Sequence, residues 1–142
     1  MVDREVFDRR LSRLELLLSH LRRLAAGDRA AYLMDAGLQA QAERWLHLAS
    51  ECCLDLANHL ISDRGWRTPA TYRETFDVLL EQDVLDEALA AKMQAWAGLR
   101  NVLAHLYLTI DHQILWGVLQ SDLDQLEAYA RALLEAVDGL AP

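Results

Sequence analysis

Lysine is almost missing from this chain: of fourteen basic residues only Lys92 carries an ammonium group, and the rest are arginines. Acidic residues outnumber them at twenty-two, leaving a formal net charge of −8. That balance excludes the broad basic surface that sequence-independent nucleic-acid binding needs for counterion release. Any contact with a polynucleotide has to be local and built on a few arginines.

Long hydrophobic runs are missing too, and no uninterrupted apolar stretch is long enough to cross a bilayer. The N-terminus, Met1-Val2-Asp3-Arg4-Glu5, places acids where a signal peptide has basic residues followed by an apolar block. The expectation is a soluble, cytoplasmic protein with no membrane partner. Cysteine is limited to the adjacent pair Cys52 and Cys53. That spacing rarely closes a disulfide and lacks a Cys-x-x-Cys metal pattern, so both read as helix-packing residues. The two prolines, Pro69 and Pro142, lie outside the periodic segments. Repeats, low-complexity tracts and strand-like alternation are absent as well.

What is present is helical periodicity nearly throughout. The 142 residues suffice for one domain, residues 1–142, with a real core. A first stripe of Phe7, Leu11, Leu14, Leu18, Leu21 and Ala25 predicts a helix over 4–26, stopping at Gly27. A second run from Leu38 to Leu60 stops near Asp63-Arg64-Gly65; Asp28 could cap it, or Gly37 could mark a later start or a kink. Thr71 and Glu74 form a capping-box pattern opening a short helix to about Leu80. A long helix from about Leu85 carries Leu89, Met93, Trp96, Leu99, Leu103 and Leu106, with Gly98 inside it. A glycine there costs about 1 kcal/mol relative to alanine, which makes sense if another helix passes closely. Asp111 caps a final helix with a stripe from Leu115 to Val137. The fold class is all-α, an antiparallel bundle of four long helices and one short one.

Chemistry concentrates in Arg100-Asn101-Val102-Leu103-Ala104-His105-Leu106-Tyr107. It combines a fixed cation whose planar fork matches phosphate oxygens with an imidazole that exchanges protons near neutrality. Asn101 and His105 lie one turn apart on one face, whereas Arg100 and Tyr107 share another stripe. The cluster converges only if the helix ends or bends near His105, or if a second copy of the chain brings its own stripe alongside. On the second helix Arg44, Glu51, Asp55 and Asn58 align on one face. That stripe is either a solvated face with internal ion pairs or a polar wall toward the Arg100 segment.

The set Arg100, Asn101, His105 and Tyr107, R-N-x-x-x-H-x-Y, resembles the signature of HepT-like toxins of the HEPN superfamily, which are small all-helical ribonucleases. The resemblance extends through Glu43-Arg44, Glu51, Asp55, Asn58 and His59, then Pro69, Tyr72 and Phe76, and finally Ile110-Asp111. It implies a homodimer that is one half of a toxin and antitoxin pair, with an MntA-type minimal nucleotidyltransferase as partner and RNA as substrate. It also implies that Arg100 and His105 form the ribonuclease site near the dimer interface, and that the partner silences it by transferring AMP onto Tyr107.

The residues support a mechanism of their own. Metal-free RNA cleavage needs a base for the ribose 2′-hydroxyl, an acid for the leaving 5′-oxygen and a cation on the phosphorane. One chain offers a single well-placed histidine, so a symmetric dimer would supply His105 twice and Arg100 twice. Asn101 would orient His105 or bind phosphate; no cofactor and no metal site is expected. Each residue also has a plainer reading: Arg100 as an ion pair with Glu51 or Asp55, His105 as a partly buried histidine, and Tyr107 as a packing residue. A non-enzymatic subunit acting through a nucleotidyltransferase is the alternative function. His47, His59 and His112 show no ligand arrangement, and Trp45, Trp96 and Trp116 read as core.

Overall fold

Every regular element of the computed structural model is helical among the described residues, which are 3–105 and 107–139 with Tyr107 given by its backbone alone. The elements are α1 (Arg4–Ala25), α2 (Arg29–Met34), α3 (Ala36–Arg64), α4 (Tyr72–Glu81) and α5 (Glu87–His105). A turn of 3-10 helix (Tyr107–Thr109), α6 (His112–Ser121) and α7 (Leu123–Asp138) complete them. No helix among the described residues is long and apolar enough to cross a membrane.

Short polar side chains start these helices by accepting backbone amides that have no intrahelical partner. Asp3 serves Val6, Asp28 serves Ala31, Asp35 serves Gly37 and Leu38, and Asp111 serves Gln113 and Ile114. The expected capping box is formed: Thr71 Oγ1 accepts from the Glu74 amide at 3.1 Å, and Glu74 Oε2 accepts from the Ala70 amide at 3.1 Å. Gly65 ends α3 in the left-handed region at φ 67°, a conformation that strains any residue with a Cβ.

Four long helices, α1, α3, α5 and α7, carry the bundle, but three shorter ones accompany them rather than one. Asp28 and Asp35 each cap a helix, so the ambiguous start of the second run resolves into α2 and α3. The single final helix expected from the sequence is broken at Ser121–Asp122. The break lets two apolar stripes face different neighbours: α6 packs on α1 and α2, whereas α7 packs on α1, α3 and α5. Gly98 also differs from expectation, because a Cβ built there meets no atom within 4 Å. Among the described residues no helix passes it closely.

α3 is the central strut, packed against α1, α4, α5 and α7, with Leu46, Leu56 and Leu60 fully buried. Tyr129 of α7 is fully buried and donates its hydroxyl to the Cys53 carbonyl at 2.7 Å. It meets Phe76 edge to face at 5.8 Å, joining α3, α4 and α7. Cys52 and Cys53 are buried free thiols, both pushed up in pKa by burial, so they pack rather than react. Trp96 and Trp116 are buried core residues, and Trp45 is partly buried with its ring stacked on His20 at 4.8 Å.

Candidate active site

Arg100 lies on the face of α5 that packs against α3 and α4, and its side chain is only 14% exposed. A buried cation requires partners, and three surround it. Its Nε donates to Glu51 Oε1 on α3. Its Nη1 donates to Asn101 Oδ1 at 3.2 Å, and its guanidinium carbon sits 4.4 Å from the centre of the Tyr72 ring at the start of α4. His47 Nε2 lies 3.5 Å from the same Glu51 oxygen. Among the described residues the hydrogen bonds of the fork run from Nε and Nη1.

Tyr72 is held in turn by the loop before it. Arg67 contacts Glu74 and donates to Glu81 from Nε at 2.9 Å and Nη2 at 2.7 Å, clamping residues 65–71 onto α4. The arginine platform is therefore built from three helices.

α5 ends at His105, and the backbone continues as the 3-10 turn Tyr107–Thr109. The helix thus ends where one of the two expected routes to convergence required, but within the chain this end does not bring His105 to Arg100. His105 and Asn101 are both exposed, and the His105 ring has no partner among the described residues. The Tyr107 side chain, the expected AMP acceptor, lies outside the described residues. Just beyond it, Leu108 is 87% exposed and Ile114 is 64% exposed. Within one chain Arg100 points into a helical interface while His105 is exposed at the helix end.

The polar stripe on α3 divides. Glu51 faces Arg100, but Asp55, an exposed residue whose carboxyl is nonetheless partly desolvated, makes no contact to the signature among the described residues; its charged neighbours are Arg10 of α1 and Glu51. Desolvation raises the Asp55 pKa, opposed by Arg10 and reinforced by Glu51. Asn58 lines a cleft of about 400 Å³ together with Pro69, Thr71, Tyr72 and Asn101. Arg44 borders a smaller cleft with Glu43, His47 and Leu103.

Sequence reasoning misses a second anchor. His112, the first residue of α6, accepts or donates at Nδ1 with the Tyr32 hydroxyl at 2.8 Å, and its Nε2 lies 3.5 Å from Glu43 Oε2. Tyr32 is 1% exposed, and burial, with Glu43 adding to it, pushes its phenol up to about 12. The far end of the signature segment is thus tied to α2 and α3. Cap position marks His112 only as the residue after Asp111, and nothing local predicts a partner eighty residues away.

Arg100 lies behind Tyr72 and Asn101, two of the residues that line the cleft of about 400 Å³, and His105 is exposed at the end of the same helix; a guanidinium and an imidazole are groups suited to binding a phosphodiester and moving protons. Among the described residues no group of three His, Cys, Asp or Glu side chains is placed to hold a metal ion.

Comparison with known proteins follows the same lines. The family model described as Ribonuclease HepT-like matches residues 14–133. The chain is 30% identical over 125 residues to the tRNA nuclease HepT of Aphanizomenon flos-aquae, covering 86% of this chain and 85% of that protein. It is 27% identical over 103 residues to the mRNA nuclease HepT of Shewanella oneidensis, covering 72% and 77%. Its fold is similar to that in a crystal structure of a toxin–antitoxin with AMP-PNP, with a TM-score of 0.86 at 21% identity over 93% of this chain and 98% of the other. It is also similar to the tri-AMPylated Shewanella oneidensis HEPN toxin in complex with its MNT antitoxin, with a TM-score of 0.85 at 23% identity over 96% and 99%.

Proposed function

The chain belongs to the ribonuclease HepT-like family, and on that footing we propose that it is the toxin of a toxin–antitoxin pair, a metal-independent endoribonuclease acting as a homodimer. The observation that carries the reading is the pairing of a held guanidinium with a free imidazole. Arg100 is fixed by Glu51 and Tyr72, and His105 stands exposed at the end of the same helix.

In the proposed reaction one His105 removes the proton of a ribose 2′-hydroxyl, whose oxygen attacks the adjacent phosphorus. The phosphorus–5′-oxygen bond breaks, and the second subunit's imidazolium protonates the departing oxygen. The products are a 2′,3′-cyclic phosphate and a 5′-hydroxyl. Arg100 neutralises charge on the phosphorane oxygens, and Asn101 beside it orients the phosphate. The two copies of His105 meet only in a dimer, which exposed Leu108 and Ile114 beside the signature would help to form by burying apolar surface. Glu51 acts by positioning Arg100, whereas Asp55, turned toward Arg10, takes no part in the proposed step.

An MntA-type nucleotidyltransferase is the proposed antitoxin, transferring AMP onto Tyr107, where the added phosphate would compete for Arg100 and the base would fill the RNA groove. The test is cleavage of a structured RNA by purified dimer in EDTA. Activity is expected to fall at least about 100-fold in His105→Ala, the scale of general acid–base catalysis. Equal cleavage by that variant would overturn the assignment.

The net charge of −8 favours a second reading, in which the chain is a catalytically silent binding or regulatory subunit of a nucleotidyltransferase complex. AMP addition to Tyr107 without RNA cleavage by the unmodified dimer would select it.

A further inference from the structure

We propose that the cleft between α3, the 65–71 loop and α5 is a subsite for one unpaired nucleobase of the RNA, and that Asn58 reads its edge. This rests on the ribonuclease reading and extends it to substrate choice.

Position is the first argument. The cleft shares two walls with the phosphate-binding arginine: Tyr72, which carries the guanidinium at 4.4 Å, and Asn101, which accepts from Nη1 at 3.2 Å. A phosphate on Arg100 therefore places its neighbouring nucleoside at the cleft mouth.

Charge is the second. No side chain lining the cleft is ionised at neutral pH, although the guanidinium stands at its edge. Phosphate belongs at that edge, and the interior suits the neutral part of a nucleotide. Pro69 and Tyr72 supply flat apolar surface of the kind on which unstacked bases rest. The volume, about 400 Å³, lies within the range of small-ligand sites.

Among the lining side chains, Asn58 is the one whose amide has neither its donor nor its acceptor committed to another described residue. Thr71 Oγ1 already accepts from the Glu74 amide, and Thr75 Oγ1 donates to the Thr71 carbonyl. Asn101 Oδ1 accepts from Arg100, which leaves only its Nδ2 as a donor. Asn58 is exposed and has no hydrogen-bond partner among the described residues. Its amide presents a donor and an acceptor side by side, the arrangement that matches a base edge. The larger cavity between α1 and α7, about 460 Å³, lacks this character: its Arg22 is already engaged by Asp124 and Glu127.

The experiment is mapping of cut positions by the full-length dimer on an RNA with a randomised single-stranded segment. Wild type is expected to favour one or two bases at a position flanking the cut by at least about fivefold, the scale of one bidentate contact. Asn58→Ala should reduce that preference below about twofold while the least favoured base is cut at a nearly unchanged rate. Asn58→Asp, which can only accept, should move the preference toward bases presenting an amino group. Because Asn58 is exposed, thermal melting of both variants should match wild type.

Preference that survives Asn58→Ala overturns the subsite, as does wild-type cleavage with no preference at flanking positions; in both cases the nuclease stands. The adenine of an AMP group on Tyr107 is the other source of the same chemistry. If Asn58→Ala impairs AMP addition by the nucleotidyltransferase and leaves the cleavage preference intact, the cleft belongs to that base. Failure of wild type to cut any RNA removes the ribonuclease reading itself, and the subsite with it.

Discussion

Arg100 and Glu51 meet across the interface of α5 and α3, Nε against Oε1, with side chains 14% and 32% exposed. Such a contact both holds the guanidinium and neutralises part of its charge. Replacing Glu51 by glutamine keeps the shape and removes the charge. Glu51→Gln is expected to destabilise the fold by about 1 to 2 kcal/mol, between the values for exposed and buried pairs. RNA cleavage should fall about 10- to 100-fold through misplacement of Arg100. Denaturant titration and single-turnover cleavage check the two effects separately.

The tie from Tyr32 to His112 gives a stability prediction away from the chemistry. His112→Ala leaves the Tyr32 hydroxyl buried without its 2.8 Å partner, at a cost of about 1 to 3 kcal/mol. Tyr32→Phe should cost less, since His112 retains solvent access at 18% exposure. The double variant should lose less than the sum of the two, which thermal melting of all four proteins measures.

Asp55 gives a pH dependence with a definite sign. Desolvation holds its folded pKa above the ordinary 3.8, so between the unfolded and folded values the folded state binds more protons and stability falls as pH rises. Asp55→Asn should therefore raise the melting temperature at pH 7. The gain should shrink toward zero as the pH is lowered past the ordinary carboxylate value, where both folded and unfolded carboxyls are protonated. Melting curves across that range check it, and a variant less stable at pH 7 contradicts the mechanism.

Modification is tested by mass. With an MntA-type nucleotidyltransferase and ATP, the intact chain is expected to gain one or more AMP units and to lose cleavage in parallel. Tyr107→Phe should gain none and should remain active in the presence of the partner.

The parts of this structure legible in the sequence are those governed by near neighbours. Thr71 with Glu74, Asp111 and Gly65 mark helix ends because capping involves residues within one turn. The choice of Glu51 over Asp55 as the partner of Arg100 is not local. Both occupy one stripe of α3, and only its rotation between α1 and α5 turns Glu51 to one and Asp55 toward Arg10 on the other. The break at Ser121–Asp122 contains neither glycine nor proline and follows from the different helices that α6 and α7 cover. Gly98 misleads for the converse reason, since helix cost alone does not say whether a neighbour is present.

α3 grips the signature segment twice, through Glu51 at Arg100 and through Glu43 at His112. The two carboxylates are separated along a single unbroken helix by about 12 Å of axial rise. The helix therefore works as a ruler, setting the span between both ends of the segment independently of the residues strung between them. On the proposed function, a group added to a residue between positions 100 and 112 would change what the site accepts without loosening the frame that spans it.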